Sequence, residues 1–288
     1  MPQSVVELVD LLELEEIEVG LYRGKQHQTA RQRVFGGQVL AQALMASSDT
    51  VPTERRLHSM HAYFIRPGRT DLPIVFGVEN LRDGGSFSSR RVVARQGGSV
   101  IFFAASSFHR PEEGLEHQDV MPTDVPAPED CPVLSDVLST VTGRPSSIWD
   151  SEFGALDVRY IGDSRPGRGA LRDPLHPALS RVWIRAAGEI PDDPRLHQSA
   201  LAYASDLTLL SASTTPHDAF LDHNVQGASL DHVMWFHRPF RADRWLLYDQ
   251  VSPSASSALG LSTGRLFQDG QLVCTVAQEG LIRPLRKR

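Results

Sequence analysis

The chain has 288 residues, 41% of them hydrophobic and 22% charged, enough for a sizeable core and for one large domain or two ordinary ones. A formal net charge of −6 argues against a broad nucleic-acid face, and no apolar run reaches the roughly 18 residues of a membrane-spanning helix. Two distant cysteines, Cys131 and Cys274, make neither a metal pattern nor a disulfide framework, so a reducing compartment is expected.

The elements run as follows. Residues 1–14 read as an acidic amphipathic helix through Val5, Leu8, Val9, Leu11 and Leu12, without the basic start of a signal peptide. A helix is predicted over 37–47, followed by long strands that turn at Pro67-Gly68, Asp83-Gly84-Gly85 and Gln96-Gly97-Gly98. Residues 110–133 are rich in Pro, Asp and Glu and read as a linker. A second helix is predicted over about 198–211, then strands turning at Asp269-Gly270. The ending, Arg286-Lys287-Arg288, is not a peroxisomal Ser-Lys-Leu address, and a cytoplasmic location is expected.

The second half repeats the first. Phe64-Ile65-Arg66-Pro67 matches Phe236-His237-Arg238-Pro239 at an offset of 172 residues, which also aligns Asp71 with Asp243, Gln96 with Gln268 and Gly98 with Gly270. Leu40-Ala41-Gln42-Ala43 matches Leu201-Ala202-Tyr203-Ala204 at an offset of 161, so copy two carries 11 extra residues within 212–228, a polar loop suited to rim a site. One helix followed by antiparallel strands, twice, predicts an α+β fold in which sheet wraps around helix. The division is 1–110 for the first unit, 111–133 for the linker and 134–288 for the second unit.

Three residues of copy two stand out. Asp206 lies within the second helix beside Ala202, Tyr203, Leu209 and Leu210; an inward carboxylate must be paired or used, and the competing reading is an N-cap for a helix starting at Leu207. Gln278 closes the row Leu272, Cys274, Val276 on one strand face, as a functional or a satisfied core amide. Ser229 offers a hydroxyl at a strand start. Copy one has Met45, Leu57 and Ser106 at the three matching positions, which is what a scaffold copy beside a catalytic copy would show. Gly36-Gly37 opens the first helix with free N–H groups that suit an oxyanion, or simply allow close packing. His58 and His61 face opposite ways on a strand, which spoils a metal pair. No Gly-x-Ser-x-Gly elbow, Walker loop or Gly-x-Gly-x-x-Gly occurs.

Several long motifs carry a resemblance. Val34-Phe35-Gly36-Gly37-Gln38-Val39-Leu40-Ala41-Gln42-Ala43-Leu44, His58-Ser59-Met60-His61-Ala62-Tyr63-Phe64-Ile65-Arg66-Pro67-Gly68, the hairpin from Leu81 to Val92, and Leu230-Asp231-His232-Val233-Met234-Trp235-Phe236-His237-Arg238-Pro239-Phe240 resemble the acyl-CoA thioesterases of the TesB (thioesterase II) family, over about Leu11 to Pro284. The resemblance implies two fused hotdog folds, hydrolysis of fatty acyl-CoA, no metal and no cofactor. Its aspartate, hydroxyl and glutamine fall on Asp206, Ser229 and Gln278, jointly activating a water; many members have Thr where Ser229 stands. Gly36, Gly37, His58, Arg90 and Arg91 are candidates for substrate binding, the arginines for the CoA phosphates, against a solvated strand face. Hotdog sheets pair with copies of themselves, so a homo-oligomer is expected. Two alternatives remain: a hotdog hydratase or dehydratase, for which Asp218 and His223 have the Asp-to-His spacing but lack the surrounding Gly and Asn-Pro, and a non-catalytic acyl-CoA binder.

Overall fold

A computed structural model describes residues 1–27, 29, 31–165, 169, 171–173, 175–217 and 225–285. Copy one contains α1 (Val5–Leu12), β1 (Glu15–Glu18), β2 (Leu21–Gly24), α2 (Gly36–Ser48), β3 (Arg56–Phe64), β4 (Ile74–Asp83), β5 (Phe87–Gln96) and β6 (Ser99–His109). After residues 110–133 come α3 (Leu134–Thr142) and α4 (Ser146–Phe153), then β7 (Leu156–Asp163), β8 (Leu179–Ala186) and α5 (Pro194–Ser205). A 3-10 helix (Leu209–His217), β9 (Val225–Ser229), β10 (Asp231–Phe236), β11 (Leu246–Ser256), β12 (Leu259–Gln268) and β13 (Gln271–Pro284) complete the chain. Among the described residues no helix is long and apolar enough to cross a membrane.

The strands form one antiparallel sheet in the order β1-β2-β4-β5-β6-β3-β10-β13-β12-β11-β8-β7, with β9 on β13. The 172-residue offset carries the starts of β4, β5 and β6 onto those of β11, β12 and β13. The tight turns coincide too: Gly97 (φ 52°) and Gly98 (φ 80°) match Asp269 (φ 50°) and Gly270 (φ 77°), the left-handed pair a two-residue hairpin demands. The two copies join where β3 pairs with β10, and His61 faces Val233 there. Those two residues are also repeat mates, so the pseudo-two-fold axis passes between them.

α2 is buried from Gly37 to Ser48, as expected of a helix that is apolar nearly all round. It packs beside α5, and the two lie against the sheet, with Leu40, Leu44, Leu201, Tyr203, Phe76, Phe102 and Tyr248 in one continuous core. This is the α+β double-hotdog architecture.

Four details differ from the sequence reading. Each copy sets strand ahead of its helix, β2 before α2 and β8 before α5. The second helix starts at Pro194, capped by the Asp193 carboxylate on the Arg195 N–H (2.9 Å), and ends at Ser205; Asp-Pro is an N-cap and first-turn pair. The 110–133 segment straps the outer face of copy two: Met121 and Val125 pack on Leu247, Phe267 and Leu272, and Gln118 bonds Gly270 and Leu272. Residues 134–153, read only as the start of copy two, form the helical pair α3–α4. Part of the 11-residue insertion, together with Asp218 and His223, lies outside the described residues.

Candidate active site

The C-terminal end of α5 meets the N-terminal end of α2, and the site is built there. Asp206 is neither inside α5 nor the N-cap of a later helix: it is the C-cap residue of α5 (φ −80°, ψ −3°). The α2 start has no side-chain cap of its own, since its N-cap residue is Phe35. The Asp206 carboxylate takes that place from the other copy, and the Gly37 backbone N–H stabilises its charge. The two glycines make this approach possible. A Cβ on Gly36 would lie 2.7 Å from Asp206 Oδ2, and one on Gly37 would collide with the Tyr203 carbonyl oxygen.

Ser229 and Gln278 converge on the same carboxylate oxygen. Ser229 Oγ donates to Asp206 Oδ1 at 3.2 Å and Gln278 Nε2 donates to it at 2.6 Å. Gln278 is fully buried in the row of β13 that also holds Cys274 and Val276. Ser229 owes its position to a break in the strand. In copy one β3 runs unbroken with a bulge at His58, whereas at the matching Leu230 the chain divides into β9 and β10. Bulges and breaks of this kind re-aim side chains beside functional sites.

The Asp206 side chain is only 5% exposed. Burial pushes its carboxyl up to about 6, and the bonds from Gln278, Ser229 and Gly37 and the charge of Arg31 hold it from rising further. Beneath it lies His232, wholly buried, with Nε2 2.9 Å from Ser205 Oγ and Nδ1 3.8 Å from Asp206 Oδ1. Burial drives this imidazole down to about 3. It is therefore neutral, and the short approach to Asp206 is not an ion pair. Ser205 Oγ donates to the Ala202 carbonyl at 3.0 Å. The neutral ring bonds Ser205 through Nε2 and presents Nδ1 toward the carboxylate.

Asp206, Ser229 and Gly36 line a cavity of about 700 Å³, within the range of small-molecule sites. Gln278 stands behind Asp206 and is not part of the wall. The far wall is apolar and comes from α3 and α4 through Leu134, Leu138, Trp149 and Phe153. Arg31 ties this helical cap to the α2 approach: its Nε donates to Glu152 at 2.7 Å, and its guanidinium lies 5.8 Å from the centre of Phe35 and 4.9 Å from that of Phe153.

The remaining binding candidates lie elsewhere. Arg90 is buried, with its guanidinium committed to Thr50, Asp83 and the carbonyls of Arg82 and Ser89, so it braces the β4–β5 hairpin and has no donor to offer a phosphate. Arg91 is exposed beside Glu79 at 3.7 Å. His58 bonds Ser107 at 2.9 Å and lines a different cavity. Arg31, His232 and the cap residues were not singled out in the sequence. The spacing Leu134, Val137, Leu138 and Trp149, Phe153 was the available signal for the cap.

The description "Acyl-CoA thioesterase N-terminal domain" matches residues 25–109, and "Acyl-CoA thioesterase" matches 173–281. The chain is 40% identical to acyl-CoA thioesterase 2 of Haemophilus influenzae, across 96% of each sequence. It is 39% identical to acyl-coenzyme A thioesterase 8 of Homo sapiens, across 95% of this chain and 88% of that one. The crystal structure of an acyl-CoA thioesterase II from Mycobacterium marinum aligns with a TM-score of 0.83 at 43% identity, covering 96% of this chain and 98% of that one.

Proposed function

The chain belongs to the acyl-CoA thioesterase family, whose reaction is hydrolysis of acyl-CoA to free acid and CoA, and on that premise we propose that Asp206 is its general base. The observation that carries this reading is the convergence of Ser229 and Gln278 on one oxygen of a buried carboxylate at the wall of an apolar cavity. A base with a pKa just below neutrality is ionised at pH 7 and still a competent proton acceptor.

In this reading a water sits between Asp206 and the thioester carbonyl, steered by the Ser229 hydroxyl. Its oxygen attacks the carbonyl carbon while its proton passes to Asp206. Gln278 acts from behind, fixing Oδ1 so that the carboxylate is already oriented. The tetrahedral oxyanion is met by the Gly36 N–H at the start of α2, the Gly37 N–H being turned to Asp206. Collapse breaks the C–S bond, and the departing thiolate takes the proton from Asp206. The acyl chain lies along Leu134, Leu138, Trp149 and Phe153.

The reading extends to a cytoplasmic homo-oligomer. The β1 edge carries exposed Glu15, Glu16 and Glu18, and the β7 edge is covered by Pro132 and Val133, so both edges are blunted against pairing. The surface left for a second copy is the outer face of β3 and β10, around Tyr63, 51% exposed, and His61 against Trp235. Sedimentation of the wild type against Tyr63→Glu tests that contact.

Thiol release from acyl-CoA esters of graded length, by wild type and Asp206→Asn, tests the base. Turnover in the wild type and its collapse in a folded variant are expected. Near-wild-type release by the variant would remove Asp206 from the mechanism.

A further inference from the structure

The pseudo-two-fold axis that relates the copies also generates a second position equivalent to the active cavity. Residues 33–36, 207–211 and 228–229, which wall the active cavity, correspond to 194–197, 46–50 and 56–57. Two adjoining cavities lie at that place. The smaller, about 350 Å³, is bounded by Leu57, Phe108 and Arg195, and Arg195 is engaged there with Asp49 at 2.8 Å and with Asp193. The larger, about 610 Å³, is lined by Arg56, His58, His197, Phe236, Phe240 and Arg238, with Glu112, Asp192 and Arg241 at its charged margin.

This position cannot run the proposed hydrolysis. The acid, hydroxyl and amide are replaced by Met45, Leu57 and Ser106, so no carboxylate is placed to take a proton from water. What it has instead is donors. His197 stands where copy one has Gly36, and it is 2% exposed. Its Nδ1 accepts the Ala242 N–H at 3.1 Å, and burial keeps the ring below its ordinary pKa. The neutral ring therefore carries its proton on Nε2, which lies beneath the cavity surface, so His197 fills the helix start that Gly36 leaves open in copy one.

The charges around it are unbalanced in the same sense. Arg241 is satisfied by Asp243 at 2.7 Å and Asp192 at 3.2 Å. Glu112 lies 3.7 Å from His109 and accepts the Ser86 hydroxyl. His237 is taken by Thr275 at 2.8 Å. The Arg238 guanidinium donates to the Leu272 carbonyl and the Arg56 side chain is exposed, and among the described residues neither has a carboxylate partner.

We propose that this cavity is a second, non-hydrolytic site that binds an oxyanion carried on an apolar or aromatic body, with the anion on Arg56 and Arg238 and the body against Leu57, Phe236 and Phe240. Both products of thioester hydrolysis have this chemistry, the acid as a carboxylate on an alkyl chain and CoA as phosphates beside an adenine. The duplicated fold would thus have kept the pocket of its silent copy as a product or effector site.

Calorimetric titration of the full chain with dodecanoate, and separately with CoA, tests the assignment. Neither probe is consumed, so the outcome is independent of Asp206. Two equivalents per chain are expected for at least one probe. Arg56→Glu, at an exposed position free of structural bonds, and separately Arg238→Gln should each weaken one of the two equivalents by about tenfold or more while thiol release from acyl-CoA stays at the wild-type rate. Two equivalents of dodecanoate alone assign the site to the carboxylate, and of CoA alone to the phosphates. A single equivalent for both probes, or a second one indifferent to both substitutions, would overturn the proposal.

Discussion

In the proposed mechanism the chemistry rests on one carboxylate that is almost wholly buried, with a 5% exposed edge at the cavity wall. Raised from 3.8 to about 6, Asp206 gives turnover an acidic limb near pH 6 and a plateau above it, readable in kcat against pH. Gln278→Ala removes the closest donor to Oδ1, so the carboxyl should rise further, moving that limb to higher pH while kcat falls. The same shift has a stability consequence. Because the folded pKa lies above the unfolded one, the folded state binds the extra proton, and stability declines as pH rises between the two values. Asp206→Asn escapes this loss. It should cost about 10²- to 10⁴-fold in turnover yet stabilise the fold by up to about 3 kcal/mol above pH 6. The gap in Tm between variant and wild type should widen from about pH 4 to about pH 6 and then level off; a constant gap across that window would contradict the buried, raised carboxyl. Asp206 and Gln278 stood out in the sequence because each is a polar residue on an apolar face and absent from the sister copy; Ser229, a hydroxyl at a strand start, was a weaker signal. His232 and Arg31 did not stand out. Nothing local distinguishes a histidine that faces a carboxylate from one that faces solvent, and Arg31 acts through Glu152 and Phe153, more than a hundred residues away.

Between residue and fold, the helical cap and the hairpins respond to substitution in opposite ways. The α3–α4 cap supplies the apolar wall, so Leu138→Trp should fill the far end of the cavity and shift preference toward shorter acyl chains. Excluding about two methylenes forfeits ~1.6 kcal/mol, or about tenfold in the ratio of long- to short-chain kcat/KM. An unchanged length profile would place the chain elsewhere. The β11–β12 turn is a different case. It runs through Ser257 (φ 53°) and Ala258 (φ 62°), left-handed conformations that a Cβ disfavours. Ala258→Gly should stabilise the chain by about 1 kcal/mol, measured as a rise in Tm with turnover unaltered. The strands and glycine turns were legible because alternation and Gly-Gly or Asp-Gly pairs are local signals. The cap was not: two short helices of mixed polarity either side of Pro145 read only as the start of copy two until their apolar edges meet Phe35 and Val158. The Ser-Ala turn was equally silent, since its geometry is imposed by the strands on either side.

At the scale of the molecule, duplication was readable from a constant offset, but the placing of the site across the two copies was not. Sequence asymmetry made copy two the catalytic one and copy one a scaffold; the geometry gives copy one a direct part in the proposed site. Gly36 makes room for the acid, Gly37 stabilises its charge, and Arg31 and Phe35 carry the cap, all from copy one, while Asp206, Ser229 and Gln278 come from copy two. The copies are also one sheet, through β3 and β10 from the Asp231–Tyr63 pair to the Trp235–Ser59 pair, and one core, through α2 against α5. Separating them would expose both strand edges and the apolar flanks of both helices. Residues 1–133 and 134–288 expressed as separate chains should therefore each fail to release thiol from acyl-CoA, and the second fragment should fail even though it holds all three polar residues of the site. Co-expressed, the fragments should restore turnover, because the β3–β10 ladder and the α2–α5 contact reform the helix start that Asp206 caps. Hydrolysis by 134–288 alone would show that the carboxylate needs no partner from copy one. If the co-expressed pair carries Gly37→Ala and forms a complex without turnover, the clash with the Tyr203 carbonyl will have displaced the acid while leaving the sheet intact.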